Sequence, residues 1–337
     1  MSLDDRFDAL IETLAGFHRT WILYLGLELG LLERIRASGE AGIAPDELAD
    51  AAECSREPVL AWTIAADAHD VVSYDGRRIT IDPDIARILL DEHRPEYLGG
   101  QFIHTVVASL DHDRLVDVFR TGVPVRSRPD RFRASIERLT RQDVAVFFQE
   151  ALAALPDLVG SLAAGIRVAD VHCGGGRWLV AMARRFPDSR FVGVESEPDS
   201  AERARRNVGA AAVGDRVEIL ESDLGRADEG LGRFDLVYFQ YALHRPEAMP
   251  SLAAGWRMVG PGGRLVIQEW CAPDDLDEYR TEHGRLISGA QLDEVFQGSR
   301  LPTVDELRGT VREAGVPEPQ VLDLPSGATL LVAGRPA

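Results

Sequence analysis

The 337-residue chain contains no lysine, so all 37 of its basic residues are arginine. That absence removes two chemistries. A phosphate-binding Gly-Lys-Ser/Thr loop cannot be built, and no side-chain amine is present to form a Schiff base. Cysteine is almost as scarce. Cys54, Cys173 and Cys271 lie far apart with no CxxC pair, which excludes a disulfide framework or a cysteine zinc site and reads as reduced thiols. Positive charge is outweighed by 55 acids, for a formal net charge of −18, the wrong sign for nucleic acid or an anionic membrane. No stretch reaches about 18 uncharged apolar residues. The opening "MSLDDRFDAL" is acidic and lacks an apolar signal region. A cytoplasmic protein is expected. No histidine and acid group has metal-ligand spacing, so no metal is expected either.

The chain is long enough for two domains with cores of their own. Phe7, Leu10, Ile11, Leu14, Phe17 and Trp21 fall at helical spacing. They run into "WILYLGLELGLLERI", apolar on nearly all sides, which predicts burial within the domain or against a second subunit. "IAPDELADAAECSREPVLAWTIAADAHDVV" carries Pro45 at a helix start and two short amphipathic helices. "VVSYDGRRITID" then alternates around Asp75-Gly76, a hairpin signal. Three helices and a hairpin predict a winged helix. Residues 30 to 95 hold 14 acids and 7 arginines, so dimerisation or substrate capping suits this module better than a DNA face.

After a helical stretch the pattern changes near residue 156. "IRVADV", "RFVGVE", "RVEILESD", "FDLVYFQYAL" and "GRLVIQEW" are apolar strands alternating with helices. They predict an α/β domain with a doubly wound, mostly parallel sheet of seven strands. "PQVLDLPS" and "TLLVAGR" close the chain, joined by Ser326-Gly327, too short for a crossover, so the last strand should run antiparallel. The expected domains are 1–155 and 156–337.

In such a sheet the ligand lies at the carboxyl ends of the strands, where strand order reverses. Asp170, Glu195 and Asp223 stand at three of those ends, and Gly174-Gly175-Gly176 precedes a helix. Glycines allow close backbone approach and a helix start offers free N–H donors. A dinucleotide fingerprint fits poorly, because Leu179 stands where its third glycine belongs. S-adenosylmethionine, with a sulfonium and no pyrophosphate, suits an acid before the loop and an acid at the second strand end to pair with ribose hydroxyls.

The run "VADVHCGGGRWLVAMARRFPDSRFVGVESEPDSAERARRN", followed by "ESD", "FDLVYFQYALH" and "PGGRLVIQE", resembles the class I S-adenosylmethionine-dependent methyltransferases. With the winged helix and the closing "LPTVDELRGTVREAGVPEPQVLDLPSGATLLVAGRP", it is similar to the dimeric small-molecule O-methyltransferases. The resemblance implies a Rossmann-like fold, S-adenosylmethionine as cofactor with S-adenosylhomocysteine as product, a homodimer formed through the N-terminal helices and a small, aromatic or polycyclic acceptor. It places the family's glycine loop on His172, Gly174 and Gly176, and its ribose acid on Glu195. The adenine-side pair falls on Asp223 and Leu224, a lysine after the fourth strand on Gln240, and the catalytic histidine on His244. Two positions depart from the pattern. Gln240 brings no charge, and His172 replaces a glycine, so its imidazole either turns aside and packs or obstructs the cofactor.

Methyl transfer from a sulfonium is an in-line displacement in which the enzyme aligns acceptor and methyl. A hydroxyl acceptor must also lose a proton, and His244 suits a general base. Glu269 could orient it. Trp178, Tyr241 and Trp270 could stack on a flat acceptor, and His18, His104 and Phe147 to Glu150 could line the acceptor side. Two rival readings use the same residues: an enzyme that binds the cofactor but decarboxylates, hydroxylates or cyclises, and a non-catalytic ligand sensor.

Overall fold

The computed structural model describes residues 2–125, 127–224, 231–245 and 248–337. It divides into two compact units, Met1–Val116 with Ser127–Ala145, and Asp117–Arg126 with Val146–Ala337. The second unit thus begins ahead of the expected division at residue 156 and also takes in the segment from Asp117.

In the first unit α1 (Leu3–Glu28) starts at a capping box, with Ser2 Oγ accepting from Asp5 N and the Asp5 carboxylate from Ser2 N. The predicted single apolar helix is broken, because Gly30 adopts φ +64 between α1 and α2 (Leu31–Ala37). α3 (Pro45–Ala51) and α4 (Arg56–Ala68) follow, then β1 (Ser73–Tyr74) and β2 (Ile79–Thr80), paired antiparallel. Asp75 closes this hairpin by accepting from Arg77 N and Arg78 N, bonds that hold its carboxyl below the usual range. α5 (Pro83–Leu90), α6 (Gly99–Ser109) and, further on, α8 (Asp130–Leu139) belong to the same unit; α7 (Leu115–Thr121) lies between the last two in sequence. Leu23, Leu32, Ile35, Leu48, Val59 and Ile79 form its core, and Trp62 donates to Ile22 O at 2.9 Å. The N-terminal half of α1 is different: Phe7, Leu10, Leu14 and Phe17 are all exposed, Leu10 at 66%.

α9 (Arg141–Val146) ends the first unit, and the main part of the second continues from it with a π-helical turn over Phe147–Ala151, α10 (Leu152–Ala154) and α11 (Pro156–Ala164). Strands and helices then alternate through β3 (Arg167–Val171), α12 (Arg177–Arg185), β4 (Arg190–Glu195), α13 (Pro198–Ala210) and β5 (Val217–Glu221). β6 (Phe234–Gln240), α14 (Met249–Met258), β7 (Val259–Glu269), α15 (Glu282–Gln297), α16 (Val304–Glu313), β8 (Gln320–Asp323) and β9 (Thr329–Gly334) complete it. The sheet order is β5-β4-β3-β6-β7-β9-β8, with only β9 antiparallel to its neighbours. This is the doubly wound, Rossmann-like sheet expected, with the last strand reversed. α15 was not expected from the sequence. Its apolar residues show little helical periodicity, and it is fixed by Thr281, whose hydroxyl accepts from Gly284 N.

Strand alternation sends successive side chains to opposite faces. Val168, Tyr238 and Val266 join one apolar layer with Trp178, Leu179 and Phe147. Ala169, Phe239 and Ile267 join the other with Leu243, Leu252 and Leu307. Strand order reverses between β3 and β6, so the loops after these two strands flank the crevice where ligands of such sheets bind. Among the described residues no single helix is long and apolar enough to cross a membrane.

Candidate functional site

The glycine turn is built by conformations that side chains resist. Gly174 (φ +53) faces open space, with nothing within 4 Å of where a Cβ would stand. At Gly176 (φ +68) a Cβ would press on Ala204 Cβ at 3.1 Å, so this turn needs glycine to seat α12 against α13. Glu195, buried at the end of β4, spans the turn: Oε2 accepts from Gly174 N at 2.8 Å and Oε1 from Glu197 N at 2.9 Å. A carboxylate has about four lone-pair directions, so two remain for hydroxyl donors. Asn207 pins the turn from α13 by donating to Gly175 O.

Asp170 is buried at the end of β3. Burial, reinforced by Glu195, raises its carboxyl well above the ordinary value of 3.8. Burial likewise raises the Cys173 thiol, so it does not offer a nucleophilic thiolate. Asp223 lies two residues beyond the end of β5, exposed, followed by the buried Leu224.

His172 is left-handed at φ 61 and turns its imidazole toward α14, where Nε2 lies 2.9 Å from Ser251 Oγ. Ser251 spends its one hydroxyl hydrogen on Ala248 O at 2.5 Å, so Nε2 is the donor and the tautomer is assigned. Ser251 belongs to the layer opposite α12. Of the two alternatives for His172, the geometry is the one in which the ring turns aside and packs.

The second half of the crevice is the loop after β6. Gln240, at the strand end, carries a buried Nε2 with no hydrogen-bond partner among the described residues. Tyr241 follows in a left-handed conformation, φ 47. Glu269, 1% exposed at the end of β7, accepts from Leu243 N at 2.9 Å and Trp270 N at 3.1 Å, and lies 3.3 Å from His244 Nδ1. A carboxylate can only accept, so Nδ1 carries the hydrogen and Nε2 presents a lone pair. Arg245 Nε donates to that nitrogen at 3.4 Å, and the Glu294 carboxylate lies 3.9 Å from it. The His244 side chain is only 10% exposed. A histidine held in one tautomer by a buried acid can accept a proton from a hydroxyl that takes the place of the long Arg245 contact at its far nitrogen.

The aromatic candidates divide. Trp178 is core, its ring 4.5 Å from Tyr238 and 5.0 Å from Phe147, with a buried indole N–H that has no partner among the described residues. The half-buried Tyr241 and Trp270 and the exposed His283 form a stacked row with centroids 6.1 and 6.0 Å apart. Glu150, on the π-helical turn, accepts from Ser326 N at 3.0 Å. His104 Nδ1 lies 3.0 Å from Ser135 Oγ within the first unit, and His18 packs edge-on against Phe17. Ser251 and Glu294 were missed by sequence reading, because each acts through a contact across the fold that no local spacing announces. Gln268 had a signal, a polar residue inside the apolar run "LVIQEW". Among the described residues no group of His, Cys, Asp or Glu could hold a metal ion.

Comparison with known families places part of the chain among methyltransferases. Residues 168–263 match the family described as "Methyltransferase domain", and the chain carries a domain of that family. Over nearly its whole length it is 26% identical to the 3-amino-4-hydroxybenzoate 4-O-methyltransferase of Streptomyces cremeus, covering 96% of this chain and 89% of that one. The sterol 24-C-methyltransferase of Yarrowia lipolytica is 29% identical over 38% of this chain, and the match spans only 33% of that relative's length. Among solved structures, an O-methyltransferase family protein from Burkholderia thailandensis superimposes with a TM-score of 0.72 at 21% identity, covering 100% of this chain and 99% of the other. Human N-acetylserotonin methyltransferase in complex with SAM gives 0.77 at 14% identity, covering 100% and 99%. These likenesses establish a shared fold along the full chain.

Proposed function

We propose that this protein is an S-adenosylmethionine-dependent methyltransferase that acts on a hydroxyl of a small aromatic or polycyclic molecule. The observation that carries the reading is the His244–Glu269 pair at the strand-order reversal, in the loop that faces the glycine turn. The residues present fit the cofactor. The open space over Gly174 admits a ligand against the backbone, and the buried Gln240 amide N–H lacks, among the described residues, an acceptor that a ligand could supply. Gly174, Gly176, Glu195, Asp223, Leu224 and Gln240 would hold it, with Asp170 beneath the turn. When bound it supplies an electrophilic methyl group on a sulfonium.

The chain's own residues then have simple tasks. Glu269 keeps the hydrogen on Nδ1 of His244, and Nε2 takes the acceptor's hydroxyl proton as the oxygen attacks. The buried carboxylate stabilises the imidazolium that results. Tyr241 and Trp270 offer a flat apolar face to an aromatic acceptor.

Titration calorimetry with S-adenosylmethionine and S-adenosylhomocysteine tests the cofactor, and release of S-adenosylhomocysteine with 3-amino-4-hydroxybenzoate and a panel of other phenols tests the transfer. Absence of binding by both nucleosides would overturn the whole reading, while binding without release across the panel would remove the methylation.

The same reading includes a cytoplasmic homodimer. The helices α2 to α4 and the β1–β2 hairpin support a winged-helix module, and the bare apolar stripe of α1 supports a second copy as its cover. Sedimentation of the full chain as a monomer at micromolar concentration would count against the dimer.

A further inference from the structure

Four polar side chains stand in sequence where the sheet meets the loop that carries His244. Tyr238 Oη donates to Gln268 Oε1 at 2.8 Å, which fixes the amide orientation, and Gln268 Nε2 then donates to Tyr241 Oη at 2.7 Å. Gln268 O also accepts from Tyr241 N at 2.9 Å. Gln268 is therefore bonded to Tyr241 through both its backbone and its side chain, and it is 0% exposed. The next residue, Glu269, grips Leu243 N and the His244 ring.

Consecutive strand residues face opposite sides of a sheet. Tyr238 and Tyr241 pack in the layer of Trp178, and Leu243 packs in the layer of Leu252. The short turn from Tyr241 to His244 is thus held from both faces of the sheet, by Gln268 on one and Glu269 on the other. Burying an amide costs free energy unless every group is satisfied. An apolar residue would continue the strand at less cost, so packing alone gives no reason for glutamine here. Tyr241 is also left-handed, a conformation that a residue with a Cβ resists unless its surroundings impose it.

We propose that Gln268 is a positioning residue for the reaction: through Tyr241 it imposes the left-handed turn that aims His244 at the acceptor. This rests on the methyl-transfer reading above. Gln268 itself touches neither acceptor nor cofactor. It acts by keeping the imidazole in one place and one tautomer, with Glu269 as the opposite jaw.

The test uses the full chain labelled with [15N]histidine, with the His244 signals assigned by their loss in His244→Ala. In the wild type the ring should show a single Nδ1–H tautomer. Gln268→Met keeps the volume and removes the amide, and Tyr241→Phe, the milder change, removes the hydroxyl it bonds. Both should give a mixture of tautomers at His244 and leave His69 unmoved. A His244 spectrum identical to wild type in both variants overturns the proposal.

With 3-amino-4-hydroxybenzoate as probe, Gln268→Met should lower kcat about 10- to 100-fold with S-adenosylhomocysteine affinity unchanged. In the His244→Ala background it should cost nothing further. An equal loss in that background would show a role not exercised through His244 and would also overturn it. If the wild type binds S-adenosylhomocysteine but turns over no phenol, the methyl-transfer reading falls, and the tautomer spectrum alone decides for or against Gln268.

Discussion

Two residues other than glycine take left-handed conformations at the ends of the two strands that flank the crevice, and they are held in different ways. His172 follows β3 and is held by two separate elements, its main-chain N–H donating to Val194 O on β4 and its ring meeting Ser251 on α14. Tyr241 ends β6 and is tied through main chain and side chain to a buried strand residue, Gln268. A left-handed residue with a Cβ costs roughly 1–2 kcal/mol, so each needs a compensating partner. At His172 the compensation is a local strut beneath the glycine turn. At Tyr241 it is continuous with the proposed catalytic histidine. The same local strain therefore serves a different end on each side of the crevice.

The largest separation between the two sides should come from His244→Ala. Turnover is expected to fall about 10²- to 10⁴-fold, while S-adenosylhomocysteine affinity, assigned to residues other than this histidine, stays within about twofold of wild type. Retained turnover with the best phenol would remove the general base.

A smaller contrast should appear within the strut. Ser251→Ala leaves the His172 N–H without its acceptor and should cost about 1–3 kcal/mol in denaturant unfolding. His172→Gly loses the same bond but relieves the left-handed strain, so its net change should stay within about 1 kcal/mol of wild type. Equal destabilisation by the two variants would show that the ring carries more than this one bond.

The smallest effect expected is pH-dependent and lies at Asp170. Its carboxyl is raised by burial and by Glu195, so the folded protein holds a proton that the unfolded chain releases. Stability from this group is full below the ordinary value of 3.8 and is lost as pH rises through the folded value. Asp170→Asn should therefore melt progressively higher than wild type as pH increases from about 4 to about 8. A constant difference across that range would mean the burial is compensated by neighbours.

Much of the architecture is legible in the sequence. Parallel strands covered on both faces must be apolar throughout, and that made "IRVADV" and "FDLVYF" plain. The link from β8 to β9, five residues over 324–328, is too short for a crossover and left β9 no choice but to reverse. Asp170, Glu195 and His244 stood out because charge or imidazole at the end of an apolar strand is a local contrast. Their partners had no such mark. Ser251 meets His172 from 79 residues away, and Glu294 reaches His244 from a helix the periodicity did not reveal. The break at Gly30 was hidden for a related reason: apolar residues on every side of the segment masked a change of direction that the glycine's conformation decides.

The carboxylate at 269 closes two peptide N–H groups as well as meeting an imidazole. Its removal would leave a backbone donor stranded in the protein interior whether or not any proton is ever taken from a substrate. A descendant that had abandoned the histidine would still be under pressure to retain the acid. In tracing how this chemistry is kept or lost among relatives, the histidine is the informative position, and the acid behind it marks only the shape of the turn.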